Sequence, residues 1–380
     1  MNDFLLTQHE LRARRGVKWA KYPPDVLPAF VADMDFKVAP AVQSAMERLV
    51  DEHDYVYGLP SDLENLYATF AEWMRRRHGW NPDPALTIAT SDVIQGVVAT
   101  LVAYSDPGDG VIVQTPIYPP FLRLIDTTKR RLVENPLELR GRFTVDVDNL
   151  RDVSSRARVL LLCNPHNPTG RVFDRDELRH IAAIAEERDL TIVADEIHAD
   201  ITFDDAKHIP METIAPERTV TLTSATKSFN IPGARAALMH FGSSALKDRF
   251  EKALPQFLLG SPSRFGVDAT IAAWSDSEEW LQRVMRYLGE NRELVARWAA
   301  SRKGIGHVTP EATFLAWLDC RELELPGSPY DFFLESAKVA LGDGRDFGGR
   351  GEGHVRLNFA TSSEILNEIL GRMSHALDEV

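Results

Sequence analysis

Short apolar runs, rich in β-branched residues, recur from residue 86 to residue 240 and are separated by amphipathic stretches. Runs of this length and composition predict buried β-strands, and the stretches between them predict helices. The strand candidates are LTIAT (86–90), VIVQT (111–115), RVLLLC (158–163), LTIVAD (190–195), TVTLTS (219–224) and AALMH (236–240). Strands that alternate with helices and are apolar throughout form mostly parallel sheets with both faces covered. We therefore expect an α/β fold.

The pattern of helices predicts two domains. Helical patterns lie between the strands at about 92–105, 174–189 and 243–258. From residue 277 onwards the order changes to a long charged helix (277–303), the strand TFLAWLD (313–319), a helix near 329–341, the strand HVRLNFA (354–360) and a final helix. A chain of 380 residues also exceeds the size at which single cores stop growing. We expect an N-terminal segment (1–45) that packs on the small domain, a large domain (46–276) and a small α+β domain (277–380).

Charge and composition exclude several classes of partner. The 43 basic and 56 acidic residues give a net charge of −13, which argues against nucleic acid or an anionic membrane as a partner. No apolar run approaches the roughly 20 residues that a membrane span requires, and the first residues lack a signal-peptide core. Cys163 and Cys320 are too few for a disulfide scaffold or a zinc cluster. We expect a cytoplasmic protein without nucleic-acid or membrane partners and without a bound metal.

Three polar residues stand where predicted strands end. Asp195 closes LTIVAD, Asn167 lies in the turn NPHNPTG (164–170) after RVLLLC, and Lys227 lies in SATKSFNIPGAR (224–235) after TVTLTS. A lysine can hold an aldehyde cofactor as a Schiff base, and a carboxylate can keep the pyridine nitrogen of that cofactor protonated. The set therefore predicts a site for pyridoxal 5′-phosphate (PLP), with the Asn167 amide donating to the cofactor's O3′ atom.

Each of these residues also has a simpler interpretation. Ser224 and Lys227 have the S-x-x-K spacing of β-lactamases, but the KTG element which that class also needs does not occur. Lys227 could otherwise lie on the surface, and Asp195 could cap a helix. His198, three residues after Asp195, could reach the phenolic oxygen of the cofactor or be a structural histidine.

A phosphate site is predicted where SDVIQGVVATL (91–101) follows a strand and opens a helix. Free backbone N–H groups and the helix dipole favour anions at such a position. We expect Gly96 and Val97 to approach the phosphate with their backbone. Ser224 and Arg235 would complete the site, with the arginine guanidinium as a planar charged fork.

Two further residues are candidates for contact with a substrate. Tyr118 in TPIYPPF (115–121) follows a strand and could stack on the cofactor ring or pass a proton, or could simply pack in the core. Arg356 lies in the middle of a predicted strand, where an unpaired charge would be costly. Either a substrate α-carboxylate or an internal salt bridge would satisfy it.

These residues and their surroundings resemble fold-type I PLP-dependent enzymes, the aspartate aminotransferase superfamily of class I and II. The closest resemblance is to the MalY/PatB group of cystathionine β-lyase-like C–S lyases. It runs nearly end to end through ADMDF (32–36), CNPHNPTGRVF (163–173), DEIHADI (195–201), SATKSFNIPG (224–233) and VRLNFA (355–360). ADMDF and DEIH indicate the lyase group, since related aminotransferases usually carry a tyrosine at the position of His198.

The resemblance implies a large domain with a mostly parallel seven-stranded sheet and a smaller α+β domain. It also implies site roles: Lys227 as the Schiff-base lysine, Asp195 as the partner of the pyridine nitrogen, Asn167 as the O3′ donor, Tyr118 as the stacking ring, Gly96, Val97, Ser224 and Arg235 as phosphate ligands, and Arg356 as the carboxylate clamp. Where the family has a tyrosine that reaches a neighbouring subunit's phosphate, this chain has Leu59 after Gly58. Tyr55 or Tyr57 could replace it.

The function that the resemblance implies is α,β-elimination from an S-substituted cysteine such as cystathionine, giving a thiol, pyruvate and ammonia. Lys227 would remove the Cα proton, and Lys227 or Tyr118 would protonate the departing sulfur. The alternative is a PLP-dependent aminotransferase, which uses the same cofactor site. A PLP-fold regulatory protein is a further alternative, but it predicts a degraded cofactor site or an added DNA-binding segment. The resemblance also implies a homodimer with active sites at the subunit interface.

Overall fold

The computed structural model describes residues 3–204, 206–255 and 258–380. The strands are β1 Leu27–Pro28, β2 Thr87–Thr90, β3 Gly110–Thr115, β4 Arg131–Pro136, β5 Glu138–Leu139, β6 Phe143–Thr144, β7 Ala157–Cys163, β8 Thr191–Asp195, β9 Thr219–Thr223, β10 Ala237–Phe241, β11 Gly306–His307, β12 Leu315–Asp319, β13 Val339–Ala340, β14 Gly342–Asp343 and β15 His354–Asn358. The predicted strands of the large and small domains are thus present.

The described ranges contain thirteen helices, of which the sequence pattern predicted six. They are α1 Gln8–Arg12, α2 Val17–Ala20, α3 Pro40–Asp51, α4 Pro60–His78, α5 Val93–Tyr104, α6 Pro119–Thr127, α7 Val147–Ser154, α8 Arg175–Glu187, α9 Ser244–Ala253, α10 Arg264–Asp276, α11 Glu278–Ala300, α12 Pro329–Glu335 and α13 Ser363–Asp378. Residues 256 and 257 of the helix predicted at 243–258 lie outside the described residues. No helix in the described ranges is long and apolar enough to cross a lipid bilayer.

The principal sheet has seven strands in the order β2-β10-β9-β8-β7-β3-β4. Only β10 runs antiparallel to its neighbours, and the remaining pairs are parallel. Val159 and Leu161 of β7 pack in one core with α5 and α9, whereas Leu160 and Leu162 pack in another with α7 and α8. Successive side chains of a strand point to opposite faces, so this sheet is covered on both sides. The predicted α/β fold with a mostly parallel seven-stranded sheet is confirmed.

Strand β4 is the member of this sheet that the apolar pattern did not indicate. Its sequence, RLVENP, forms the edge of the sheet, and Arg131 and Leu132 at its beginning are exposed. Edge strands need no apolar side chains on both faces, so their pattern is weaker than that of central strands. Pro136 at its end is also compatible with an edge position, where one row of backbone groups stays unpaired.

A second sheet, β11-β12-β15-β14, is antiparallel and lies in the last quarter of the chain. The N-terminal segment joins this region because β1 pairs in parallel with β13. This pairing also explains why α12 ends at Glu335, before the predicted limit of 341: residues 339 and 340 are extended to form β13. The proposed division into domains at residues 45 and 276 stays a prediction.

Candidate active site

The site lies at the carboxyl-terminal edge of the central parallel strands, where ligands bind in open α/β sheets. Asp195, the last residue of β8, lies beside Cys163, the last residue of β7. Asp195 is buried, and its Oδ1 atom accepts a hydrogen bond of 3.1 Å from the Ile197 N–H. Burial raises the pKa of Asp195 to about 7, and the nearby charge of Glu196 adds to the rise. This carboxylate is therefore costly to keep ionised unless a positive charge enters the site.

Lys227 lies in the turn after β9, facing this edge. Its Nζ atom donates a hydrogen bond of 2.8 Å to the carbonyl oxygen of Ala32 in the N-terminal segment. Burial lowers the pKa of Lys227, and the positive charge of Arg356 lowers it further, whereas Asp33 and Asp195 act in the opposite sense. A lysine in this environment loses its proton more readily than an exposed one, which a nucleophile or general base requires.

Ser224, three residues before Lys227, is occupied by the local backbone. Its hydroxyl donates to the Ala236 carbonyl at 2.6 Å and accepts the Thr226 N–H at 3.1 Å. The serine that a β-lactamase mechanism would need is thus committed elsewhere. Ser224 is also buried beneath the wall of the site, where Thr226 and Arg235 are exposed to the cavity instead. Its predicted contact with a phosphate therefore has no support in this geometry.

Asn167 and Arg356 are in contact, although they are distant in sequence. The Nη1 atom of Arg356 donates to Oδ1 of Asn167 at 2.9 Å, and its Nη2 atom donates to the Phe30 carbonyl at 2.7 Å. The ring of Phe347 lies 5.0 Å from the guanidinium carbon, and the Nε atom is buried without a hydrogen-bond partner. Burial lowers the pKa of Arg356 to about 10. Among the described residues, no carboxylate forms a salt bridge with this arginine.

His198 and Tyr118 line the same cavity as Asp195 and Lys227. His198 is buried, its Nδ1 atom has no hydrogen-bond partner among the described residues, and burial lowers its pKa to about 3. It is therefore a neutral imidazole. Burial raises the pKa of Tyr118, while the charge of Arg356 opposes the rise, so its hydroxyl stays protonated at neutral pH and can act as a donor.

The start of helix α5 corrects the prediction that Gly96 and Val97 bind phosphate. The Gly96 N–H donates to the Asp92 carbonyl at 3.2 Å, because Gly96 already lies in the regular hydrogen-bonding pattern of the helix. Only the first few N–H groups of a helix stay free, and Val93 and Ile94 are the residues of this turn that line the cavity. A side chain at Gly96 would meet Leu222 at 3.0 Å. Its small size thus serves the packing of α5 on the sheet.

Asp92, which the sequence analysis did not single out, connects α5 to Arg235. Its Oδ1 atom caps the helix by accepting the Gln95 N–H at 2.8 Å, and its Oδ2 atom pairs with Arg235 at 2.5 Å. Arg235 has a φ of 59°, in the left-handed region that non-glycine residues rarely adopt, and its side chain is 58 % exposed. Arg235 therefore lies at the mouth of the cavity beside the first turn of α5. The common S/T/D/N preference at helix starts was the only sequence signal for Asp92.

The cavity consists of two adjoining chambers. The inner chamber, of about 400 Å³, is lined by Asp92, Asn167, Asp195, His198 and Arg235. The outer chamber, of about 500 Å³, is lined by Phe30, Phe347 and Arg356 and extends to α6, α12 and β14. Ala32, Tyr118 and Lys227 line both. Lys227 is thus the amine at the junction between the inner chamber, which Asp195 lines, and the outer chamber, which Arg356 lines.

The N-terminal segment 30–36 contributes more to this junction than its sequence indicated. Asn358 donates to the Asp33 carbonyl at 2.7 Å, and Asn230 donates to the carbonyls of Met34 and Phe36 at 3.0 and 2.9 Å. The side chain of Asp35 accepts from Lys18 at 2.8 Å and from the Trp19 indole at 2.7 Å. ADMDF is recognisable as a motif, but its contacts with Asn230 and Asn358 join residues more than 190 positions apart, which a local pattern cannot reveal.

An α/β sheet of this order, with a lysine between two chambers and an aspartate beneath it, has the architecture of a fold-type I enzyme. The sequence profile of the family "Aminotransferase class I and II" matches residues 31–373. The chain therefore belongs to this family, and cystathionine β-lyases are among its relatives. The resemblance inferred from the sequence is confirmed.

Two relatives and one solved structure illustrate the similarity of this chain to known proteins. The chain is 32% identical to the cystathionine beta-lyase of Corynebacterium glutamicum, over 97% of this chain and 98% of that protein. It is 31% identical to the cystathionine beta-lyase PatB of Bacillus subtilis (strain 168), again over 97% and 98%. Among solved structures, the fold matches cystalysin from Treponema denticola, which contains PLP, with a TM-score of 0.92 and 29% identity over 100% of this chain and 99% of that chain.

Proposed function

We propose that this protein is a PLP-dependent carbon–sulfur lyase that eliminates the sulfur substituent from S-substituted cysteines such as cystathionine. The products are a thiol, pyruvate and ammonia. The observation that carries the proposal is the position of Lys227, where one amine can reach a cofactor in the inner chamber and a substrate in the outer chamber. The names of the two cystathionine beta-lyase relatives support the same activity.

The donor set of the inner chamber fits PLP. Burial raises the pKa of the Asp195 carboxyl, and a protonated pyridine nitrogen beside it would lower that pKa again. Asn167 can donate to O3′ through its amide group, and His198 lines the same chamber as a neutral imidazole. Arg235 and the free N–H groups at the start of α5 suit a phosphate. When bound, PLP supplies an electron-accepting ring that stabilises negative charge at the substrate Cα atom.

Arg356 is the group that would bind the substrate α-carboxylate. Its guanidinium is held by Asn167 and by the Phe30 carbonyl, so the fork is fixed before a ligand arrives. A bidentate arginine–carboxylate contact orients the amino acid as well as binding it. Fixing the carboxylate at this end directs the Cα–H bond towards Lys227 at the junction.

Lys227 would move the proton on which the elimination depends. In its neutral form, which burial favours, it takes the proton from Cα. The carbon–sulfur bond then breaks, and the sulfur leaves with the electron pair and takes a proton from the Lys227 ammonium or from the Tyr118 hydroxyl. The enamine that remains is released and hydrolysed by water to pyruvate and ammonia, so that cystathionine yields homocysteine as the thiol.

One assay separates this proposal from an aminotransferase. The holoenzyme is incubated with L-cystathionine without any keto acid, and pyruvate and free thiol are measured. A lyase releases both in equal amounts over many turnovers. An aminotransferase would give product only after a keto acid is added, and that result would contradict the proposal.

We also propose that the protein is a cytoplasmic homodimer. The segment 55–59 presents apolar side chains to the surface: Tyr55, Val56, Tyr57 and Leu59 are each at least 60% exposed, and Tyr57 is fully exposed. Tyr55 stacks on Phe265 at 6.2 Å, which leaves Tyr57 as the freer substitute for the family tyrosine at the Leu59 position. Burial of both free cysteines is compatible with a reducing compartment. Analytical ultracentrifugation at micromolar concentration should give twice the chain mass, and a monomer would contradict the homodimer.

A further inference from the structure

We infer that the far end of the outer chamber recognises a second amino-acid head group, which is carried by the leaving half of the substrate. Arg123 would bind the carboxylate of this head group, and Asp346 would bind its ammonium group. The inference rests on the proposed lyase function and adds to it the two residues that select the leaving half of the substrate. Arg123 and Asp346 would then be specificity-determining residues.

The base of the outer chamber is fixed by Arg356 and its neighbours. The Phe30 carbonyl accepts from Arg356 at 2.7 Å, and the Phe347 ring lies 5.0 Å from the guanidinium carbon. If the cysteine half of a substrate binds there, its sulfur points away from Arg356 into the remaining space. The chamber measures about 500 Å³, which is in the range of sites for whole ligands. A substrate that ended at the sulfur would leave much of this volume unfilled.

The walls beyond the base suit a short methylene chain. Tyr22 of the N-terminal segment and Tyr330 of α12 join across the chamber, with their hydroxyl oxygens 3.0 Å apart. The Nζ atom of Lys21 lies 4.9 Å from the centre of the Phe30 ring. Aromatic faces of this kind bind aliphatic groups and tolerate a nearby cation.

The outer rim carries opposite charges that the protein does not pair with each other. Asp343 is held by Arg345 at 2.6 Å. By contrast, in the ranges that the structure describes, neither Arg123 nor Asp346 forms an ion pair or a side-chain hydrogen bond, although both line the chamber. A ligand with one carboxylate and one ammonium group would match both charges, whereas an alkyl thiol would match neither. Both residues are exposed, so each contact should be modest in strength.

Four substrates with chains of similar length separate the two contacts. They are L-cystathionine, S-(3-carboxypropyl)-L-cysteine, which keeps only the distal carboxylate, S-(3-aminopropyl)-L-cysteine, which keeps only the distal ammonium group, and S-butyl-L-cysteine, which has neither. Pyruvate release gives kcat and KM for the wild type and for the variants Arg123→Gln and Asp346→Asn. Lys129→Gln is the matched control, since it removes a positive charge from an exposed position outside the chamber.

We expect Arg123→Gln to lower kcat/KM for L-cystathionine and the carboxypropyl substrate about fivefold relative to S-butyl-L-cysteine, through KM. Asp346→Asn should lower kcat/KM by a similar factor for L-cystathionine and the aminopropyl substrate. Lys129→Gln should leave kcat/KM for all three charged substrates unchanged relative to S-butyl-L-cysteine. If pyruvate is released but neither Arg123→Gln nor Asp346→Asn changes kcat/KM for any charged substrate relative to S-butyl-L-cysteine, this inference is overturned. The lyase function would still stand. Absence of pyruvate from all four substrates would overturn the lyase function and the inference together.

Discussion

The inner and outer chambers are built from different parts of the fold. The ends of β7 and β8 and the starts of the segments that follow them place Asn167, Asp195 and His198 in the inner chamber, where all three are buried. The outer chamber is formed by the N-terminal segment, α6, α12 and the region around β14, and its rim is exposed. Lys227 and Tyr118 line both chambers.

This difference separates the chemistry from the choice of substrate. Groups fixed at the ends of central strands cannot move without disturbing the core, so they suit a cofactor that has to be held in one geometry. Groups on exposed segments can change with little cost to stability, so they suit the recognition of a variable leaving group. The two chambers should therefore respond differently to substitution.

Replacement of the residue at the junction should have the largest effect. Lys227→Ala removes the amine that both chambers share, and we expect pyruvate release from L-cystathionine to fall by at least about 10⁴-fold. The matched control is Lys252→Ala, at an exposed position of α9, which should retain wild-type turnover. If Lys227→Ala kept a substantial rate, the shared role of this residue would be wrong.

A substitution within the inner chamber should lower turnover and also change stability. Asp195→Asn cannot neutralise a cationic ring, and we expect kcat to fall roughly 10²- to 10³-fold, with weaker PLP binding in an absorbance titration. In the apoprotein, burial raises the pKa of Asp195 from 3.8 to about 7. The folded state thus binds more protons than the unfolded chain across this interval, so its free energy of unfolding falls as pH rises.

Asp195→Asn should remove that contribution. Denaturant unfolding of the wild-type and variant apoproteins between about pH 4 and pH 7 gives the free energy of unfolding of each protein as a function of pH. The difference between the two pH dependences is the contribution of the Asp195 carboxylate. A variant at least as pH-dependent as the wild type over this interval would show that Asp195 is not the buried acid that the geometry indicates.

A substitution at the base of the outer chamber should act mainly on substrate binding. Arg356→Gln removes the charged fork that would bind the α-carboxylate, and we expect KM to rise roughly 10- to 100-fold. PLP affinity should change much less, since Arg356 lines only the outer chamber. An equal loss of cofactor and substrate binding would contradict the separation of the two chambers.

The smallest effect should come from Gly96. Gly96→Ala places a methyl group 3.0 Å from Leu222 and 3.3 Å from Met239, on the side of α5 that packs on the sheet. We expect the PLP dissociation constant to change less than about twofold, with any effect confined to thermal stability. A large loss of PLP affinity would restore the original prediction that the backbone at Gly96 contacts the phosphate.

The sequence predicted the inner chamber far better than the outer one. Lys227, Asp195 and Asn167 each follow a strongly apolar strand, and parallel strands bring such ends together at one edge of the sheet. The sequence pattern predicts the phosphate contact at Gly96, since the small size of this residue is typical of a close backbone approach. The helix begins at Val93, however, so the free N–H groups lie earlier in the chain.

The outer chamber could not be predicted because its residues share no local pattern. Tyr22, Arg123, Tyr330 and Asp346 come from four distant segments, and each is of a type that is common on protein surfaces. Their convergence depends on the pairing of β1 with β13 and on the contact of α6 with residues 344–347. Such contacts are long-range consequences of the fold, whereas strand ends are marked directly in the sequence.

The central claim is that Lys227 holds the cofactor at the junction of the two chambers. Reduction of the PLP-loaded protein with borohydride, followed by proteolysis and peptide mass spectrometry, locates the lysine to which the cofactor is attached. We predict the phosphopyridoxyl group on the peptide that contains Lys227, and its absence from that peptide in Lys227→Ala. Attachment to a different lysine in the wild type would contradict the account.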